Sequence, residues 1–289
     1  INAALGASFA GARTMIGTSG GGFDLMSEAM SLQGQSQVPL VVYLASRPGP
    51  GTGVPTYTSQ ADLDIALRSG HGEFPRIVIA PGDPIEAEEK TNEAFYFAEK
   101  YGALVIILSD KHLAESEFSS DRKPNEIIPI KVERYIPGEK IVKASSYEHD
   151  QFGNTIEDAN ATCQNADSRI KRYQEIQKET EKFEMIKIFG KKDSKNLIIG
   201  WGSTKCAILD AIEGEDFKFL QVLYMKPLSD QIRAEIKKAD KVILVENNLT
   251  GQLGRLIREE SGIKIENRIL KYDGRPFRSD ELKEQILSI

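Results

Sequence analysis

The chain has 289 residues, 40% hydrophobic and 28% charged, a balance that excludes a disordered or fibrous protein and leaves room for two domains. Its 37 basic and 43 acidic residues give a formal charge of -6, which makes nucleic acid and anionic membrane surfaces poor partners. No apolar run nears the roughly 20 residues that span a bilayer, and no basic leader precedes the apolar start, so a cytoplasmic protein is expected.

Ile1 to Ala10 reads as the middle of an Ala-rich amphipathic helix without a cap, so an upstream segment is expected. From Arg13 onward short apolar runs alternate with helical patterns, the mark of an α/β fold with parallel strands. Strands are predicted at Thr14 to Thr18, Leu40 to Ala45, Ile77 to Ala80 and Leu104 to Ser109, with helices at Phe23 to Gly34, Ser59 to Arg68 and Pro84 to Tyr101. The last helix opens on Asp83-Pro84, an N-cap followed by proline at the first helical position, with Glu86 in the positively polarised first turn. Pattern fails from Ser119 to Thr162, where Pro124, Pro129 and Pro137 fall among many charges, and a charged, solvated helix follows over Asp167 to Glu184. A second series then has strands at Asn196 to Ile199, Phe217 to Leu223, Lys241 to Glu246 and Lys264 to Ile269. Its helices are Thr204 to Ile212, Asp230 to Ala239, Leu253 to Ser261 and Asp280 to Ile289. The expected division is an α/β domain over 1–118, a connection with a charged helix over 119–185, and a second α/β domain over 186–289.

Several segments carry residue types suited to chemistry. Ser19-Gly20-Gly21-Gly22 lies between a strand and a helix, where glycines let backbone amides approach a ligand; a tight turn alone is the plainer alternative. Leu25 stands where a dinucleotide fingerprint needs Gly or Ala, and Lys205 does the same after Gly200-Trp201-Gly202, so a nicotinamide site is not supported. Arg47-Pro48-Gly49-Pro50-Gly51-Thr52-Gly53 follows an apolar strand at the edge where parallel sheets bind ligands, and arginine offers a planar fork for a carboxylate; on spacing alone a surface arginine before a turn explains it equally. His71 and Glu73 share a loop where acid-base groups can occur, without a nucleophile nearby. His149-Asp150 lacks a second histidine at metal spacing, and structural roles are favoured for both histidines. Glu246-Asn247-Asn248 follows a strand of the second series, again the ligand edge of a sheet, with a helix cap as the plainer reading. Cys163 and Cys206 are too few for an iron-sulfur cluster or a closed zinc site, so no metal is expected on this chain.

Read together, Thr18 to Phe23, Arg47 to Gly53, Gly70-His71-Gly72-Glu73-Phe74-Pro75, Ala80-Pro81-Gly82-Asp83-Pro84, Leu108-Ser109-Asp110, Tyr147-Glu148-His149-Asp150 and Glu246 to Leu253 resemble the alpha subunit of 2-oxoacid:ferredoxin oxidoreductases, in order and in spacing, over nearly the whole chain. The resemblance implies a pyrimidine-type thiamine diphosphate-binding parallel-sheet domain followed by a transketolase C-terminal-like α/β domain. It further implies oxidative decarboxylation of a 2-oxo acid, pyruvate or 2-oxoglutarate, with acyl transfer to coenzyme A and electrons passed to ferredoxin. Arg47 and Thr52 are then expected to bind the substrate, and Ser19, Gly20, Gly21 and Gly22 the thiamine diphosphate, with His71, Glu73, Glu246, Asn247 and Asn248 as further candidates. The cofactor is expected to be shared with a beta subunit carrying magnesium and an iron-sulfur cluster, in a hetero-oligomer active only when assembled. The family's Tyr-Pro-Ile-Thr-Pro segment and activating glutamate are expected upstream of Ile1, and the stretch around Arg134 to Gly138, Tyr135 included, looks shorter than in relatives. A transketolase-like transferase and a non-catalytic scaffold with the same fold are the competing readings.

Overall fold

The computed structural model describes residues 1–131, 134, 139–142 and 145–289, so the shortening expected around Tyr135, and Pro137 with it, lies outside the described residues. The first half comprises α1 (Asn2–Phe9), β1 (Met15–Thr18), α2 (Gly20–Asp24), α3 (Ser27–Ser36), β2 (Leu40–Ser46), α4 (Leu63–Arg68), β3 (Arg76–Ile79), α5 (Pro84–Tyr101), β4 (Leu104–Asp110), α6 (Lys111–Glu115) and α7 (Ala159–Thr180). The second comprises β5 (Ile186–Gly190), β6 (Asn196–Trp201), α8 (Thr204–Ala211), β7 (Lys218–Val222), β8 (Tyr224–Lys226), α9 (Asp230–Lys238), β9 (Lys241–Glu246), α10 (Gln252–Ser261), β10 (Asn267–Leu270) and α11 (Ser279–Ser288).

The strands form two five-stranded sheets, in the orders β1-β2-β4-β3-β8 and β10-β9-β6-β7-β5. Within each sheet the first four strands are parallel and the last is antiparallel. The fold is α/β with helices on both faces of each sheet, which is why the inner strands are apolar almost throughout. Along β4, Leu104, Ile106 and Leu108 belong to one apolar cluster, and Val105 and Ile107 to another. The second cluster holds α5 and α7 through Ala94, Phe97, Ala98 and Ile176. Helix α5 occupies its predicted span: Asp83 accepts the Glu86 amide at 2.7 Å, Pro84 opens the helix, and Gly102 ends it in the left-handed region.

The differences from expectation have local causes. The helix predicted over Phe23 to Gly34 is two helices, separated by a turn in which the Met26 amide donates to the Phe23 carbonyl at 2.9 Å. The helix predicted from Ser59 starts at Leu63, because the Gln60 amide is spent on the Asn247 carbonyl, 2.7 Å away in the other half of the chain. The charged helix starts earlier, at Ala159, where Asp158 accepts the Ala161 amide at 2.9 Å. The apolar run predicted as one strand over Phe217 to Leu223 supplies β7 to the second sheet, and the residues just beyond it, β8, cross to the first sheet. That crossing ties the halves covalently and by strand pairing, with Ile79 opposite Tyr224. The short helix α6 and the edge strand β5 are additional, and β10 starts at Asn267 rather than Lys264.

Phe97 is fully buried between Tyr96, Tyr101, Phe183 and Tyr224, with ring centroids 4.9 to 6.4 Å apart. Phe97→Ala is therefore expected to lower unfolding stability by about 3 to 5 kcal/mol, read as a drop in the denaturant midpoint.

Candidate functional site

Parallel strands place their carboxyl ends on one edge, and α/β sheets bind ligands there. In the first sheet that edge carries Ser19 to Gly22 after β1, Arg47 after β2, Pro81 to Asp83 after β3 and Asp110 ending β4. Part of it is closed. Asp110, 1% exposed, accepts the Thr58 hydroxyl at 3.1 Å and the Leu113 amide at 3.0 Å. A Cβ added at Gly82 would meet the Gly202 carbonyl at 2.8 Å, so the ends of β3 and β6 abut. The portion at β1 and β2 is open.

In that open portion Asp62 stands beside Ser46, Gly20, Asp24 and Arg47. It accepts the Ser46 hydroxyl at 2.8 Å, and a Cβ added at Gly20 would lie 2.7 Å from its carboxylate. Burial raises its pKa; Asp24 adds to the rise, while the Ser46 hydrogen bond and the Arg47 charge oppose it. Arg47 is half-buried and forms no ion pair among the described residues. Beyond it the turn folds back, the Val54 amide donating to the Pro48 carbonyl at 3.1 Å, with Gly53 so close to that carbonyl that no side chain fits. Thr52 is exposed on this turn, and Gly21 faces open space.

The other sequence-derived candidates lie elsewhere. His71 and Glu73 are exposed on the loop before β3, at the opposite edge of the sheet from Arg47, and the His71 carbonyl accepts the Ser31 hydroxyl at 2.8 Å. His149 and Asp150 build a local turn, Asp150 accepting the Phe152 and Asn154 amides at 2.8 and 2.9 Å. Among the described residues no group of three or more His, Cys, Asp or Glu could hold a metal ion.

Glu246, Asn247 and Asn248 lie at the carboxyl edge of the second sheet, between β6 and β9 where its strand order reverses, but they face the protein. Glu246 is fully buried and receives the Trp201 indole at 3.1 Å, the Asn248 amide group at 2.7 Å and the Leu253 and Gly254 amides at 3.0 and 3.2 Å. Burial pushes its carboxyl up and these donors pull it back, with burial the larger effect. Asn248 caps the turn into α10, accepting the Thr250, Gly251 and Gln252 amides.

Two groups missing from the sequence-derived set hold the sheets together here. Gln60, 1% exposed, donates its side chain to the Trp201 carbonyl at 2.7 Å, accepts the Asn247 amide at 2.9 Å, and accepts Asn248 at its own carbonyl at 3.2 Å. Glu86, fully buried, meets Lys205 at 2.6 Å, Lys187 at 3.0 Å, Gln221 at 2.7 Å and the Gly82 amide at 2.8 Å; Lys205 also reaches Asp83 at 2.5 Å. Local pattern reveals only the capping role of Asp83 and Glu86; their partners Lys187, Lys205 and Gln221 are about 100 residues or more away.

Gln60→Ala leaves the buried Asn247 amide without a partner, and a loss of about 2 kcal/mol is expected in denaturant unfolding. Burial alone would raise Glu86, yet Lys205 and Lys187 hold it at about 2, below its ordinary 4.5. A depressed carboxylate contributes stability above the unfolded value and loses it as pH falls toward the folded one, so stability should drop between about pH 4.5 and pH 2. Glu86→Gln should flatten that dependence in urea midpoints measured across pH.

Residues 1–185 match the family model described as pyruvate flavodoxin/ferredoxin oxidoreductase, thiamine diphosphate-binding. The 2-oxoacid:ferredoxin oxidoreductase subunit alpha of Saccharolobus solfataricus is 37% identical over 100% of this chain and 51% of its own length. The 2-oxoglutarate synthase subunit KorA of Methanocaldococcus jannaschii is 29% identical over 99% of this chain and 84% of its own. A solved structure of 2-oxoglutarate:ferredoxin oxidoreductase from Magnetococcus marinus, with 2-oxoglutarate, coenzyme A and succinyl-CoA bound, superposes with a TM-score of 0.82 at 29% identity, covering 99% of this chain and 55% of that one. The chain thus spans about half the length of the Saccharolobus relative. By the match over 1–185, the chain belongs to the pyruvate flavodoxin/ferredoxin oxidoreductase family.

Proposed function

We propose that the chain forms part of the alpha subunit of a 2-oxoacid:ferredoxin oxidoreductase. The reaction is coenzyme A-dependent oxidative decarboxylation of a 2-oxo acid, 2-oxoglutarate or pyruvate, to acyl-CoA and carbon dioxide, with electrons passed to ferredoxin. The observation that carries this reading is Arg47: a half-buried guanidinium without an ion pair among the described residues, on the open part of a parallel sheet's carboxyl edge. Its planar fork of donors binds a carboxylate in two places and fixes the orientation of the neighbouring carbonyl. Thr52, exposed on the same turn, adds a hydroxyl donor to the substrate.

Thiamine diphosphate fits the adjoining turn. Gly21 faces open space, so the backbone there is open to close approach by a ligand; Ser19, Gly20 and Gly22 complete the same turn, with Gly20 backed by Asp62 and Gly22 by Thr18. When bound, the cofactor supplies the electron sink for loss of carbon dioxide. Asp62, tied to Ser46 and beside Gly20, supports the turn and offers Arg47 a counter-charge. In this reading residues 1–118 are the pyrimidine-binding-type domain, 119–185 the connection with its charged helix, and 186–289 the transketolase C-terminal-like domain. Magnesium and the iron-sulfur cluster lie on a beta subunit; the exposed Cys163 and Cys206, in separate halves of the chain, support that division of labour. No helix among the described residues is long and apolar enough to cross a membrane, and we place the hetero-oligomer in the cytoplasm. Glu246, Asn247 and Asn248 serve to hold the sheets, and His71 and Glu73 stand outside the reaction.

In the assembled, cofactor-loaded complex, Arg47→Ala should lower kcat/KM for 2-oxo acids by roughly 30-fold to 150-fold, the loss of a forked, charge-assisted hydrogen bond. Arg47→Lys should recover part of it, because a point charge replaces the fork. A change within about twofold for Arg47→Ala would exclude the role.

A further inference from the structure

The amino edge of the first sheet, remote from Arg47, holds a cavity of about 510 Å³ between α4, the loop Gly70 to Pro75, α7 and β8. Arg68, Arg76, Arg169 and Lys226 line it against a single carboxylate, Glu73. Two of these cations are already neutralised: Arg68 pairs with Asp64 and Glu259, and Arg169 with Glu148 at 2.8 Å. The other two are not. Arg76 is 4% exposed and Lys226 half-buried, and neither has a carboxylate partner among the described residues. Among the described residues Arg76 donates only to the neutral Ala66 carbonyl and Ser69 hydroxyl, at 3.5 and 3.3 Å, and it stacks 4.5 Å above the Phe74 ring. Lys226 lies 5.9 Å from the Tyr173 ring. Burial lowers the Lys226 pKa and the charges of Arg76 and Arg68 add to the fall, against a smaller opposing pull from Glu260 and Glu259, neither of which pairs with it.

Positive charge buried without a counter-ion is costly, and a cavity that concentrates it is suited to an anion. The remaining wall is apolar and aromatic, from Leu67, Phe74, Ile170 and Tyr173, and the volume is that of a site for a mononucleotide-sized molecule. We propose that this cavity binds a nucleoside phosphate, with its phosphate groups on Lys226 and Arg76 and its flat ring against the wall of Tyr173 and Ile170. The site is separate from the one assigned to the reaction, since the two lie at opposite edges of one sheet, and it stands whether or not that assignment holds.

The test titrates the full-length protein with adenosine diphosphate carrying a fluorescent N-methylanthraniloyl group, with competition by adenosine diphosphate, adenosine, inorganic phosphate and coenzyme A. Arg76 holds the end of α4, so the variants are Lys226→Met and Ile170→Asp; Ile170 is 59% exposed. Saturable binding that each variant weakens at least about tenfold, with unchanged thermal melting and with adenosine and inorganic phosphate each competing at least about tenfold more weakly than adenosine diphosphate, is the expected result. Absence of saturable binding overturns the proposal. So does binding displaced by coenzyme A but indifferent to both substitutions, which places the nucleotide elsewhere. Competition by inorganic phosphate equal to that by adenosine diphosphate reduces the cavity to an anion hole and overturns the nucleoside assignment.

Discussion

Gln60 sets where the two sheets stop relative to each other. Its amide group spans the carboxyl ends of β6 and β9, donating to Trp201 and accepting from Asn247, while its backbone meets Asn247 and Asn248. These bonds satisfy main-chain groups that any α/β sheet leaves exposed at its ligand edge. The second sheet's switch point is thereby filled by protein. The driving force for the association lies elsewhere, in apolar burial: α4 packs on α10, and Leu63, Leu67, Leu253 and Ile257 belong to one cluster that also includes Leu40, Val42 and Leu244. The ion cluster of Glu86, Asp83, Lys205 and Lys187 adds little net energy against an apolar alternative, since desolvation offsets its attraction, but breaking one partner costs several kcal/mol. Apolar area brings the halves together; Gln60 and Glu86 fix the geometry.

That geometry decides which edge stays open. The ends of β3 and β4 are consumed, β3 in the contact with the second sheet through Gly82 against Gly202, and β4 in the bond that Asp110 accepts from Thr58. What remains is the stretch from Ser19 to Gly22 and from Arg47 to Gly53, flanked by Asp62. The Arg47 turn is braced from the far side, where the Thr58 amide donates to the Gly274 carbonyl at 3.0 Å and the Arg275 guanidinium lies 3.4 Å from the Tyr57 ring. The second half of the chain thus supports the loop that carries the substrate-binding candidate, a positioning role that needs no group of its own at the reaction.

Much of this was legible in the sequence because its cause is local. Asp83-Pro84 and Gly102 bound α5 by capping chemistry, and the fully buried strands read as continuous apolar runs. The failures share one origin, pairing over long range. Phe217 to Lys226 is apolar almost throughout, and nothing in its pattern says that β7 belongs to one sheet and β8 to the other. Strand β5 is half-buried and sits on an edge, so Ile186, Ile188 and Lys187 alternate too briefly to stand out after a charged helix. Gln60 is an ordinary polar residue in a polar loop; its partners are 141 and 187 residues away. For the site, Arg47 was visible through its turn, whereas Asp62 and Ser46 become meaningful only once β2 and the start of α4 are adjacent. Glu246 was found for its position after a strand, and the fold turns that position inward.

The central claim is that the open edge at Arg47 receives the 2-oxo acid. A structure of the assembled complex with thiamine diphosphate and a 2-oxo acid bound tests it most directly. The account predicts the substrate carboxylate within about 3 Å of the Arg47 guanidinium, in a forked arrangement, with Gly21 against the cofactor. A carboxylate bound by other groups, with Arg47 turned to solvent, would contradict it.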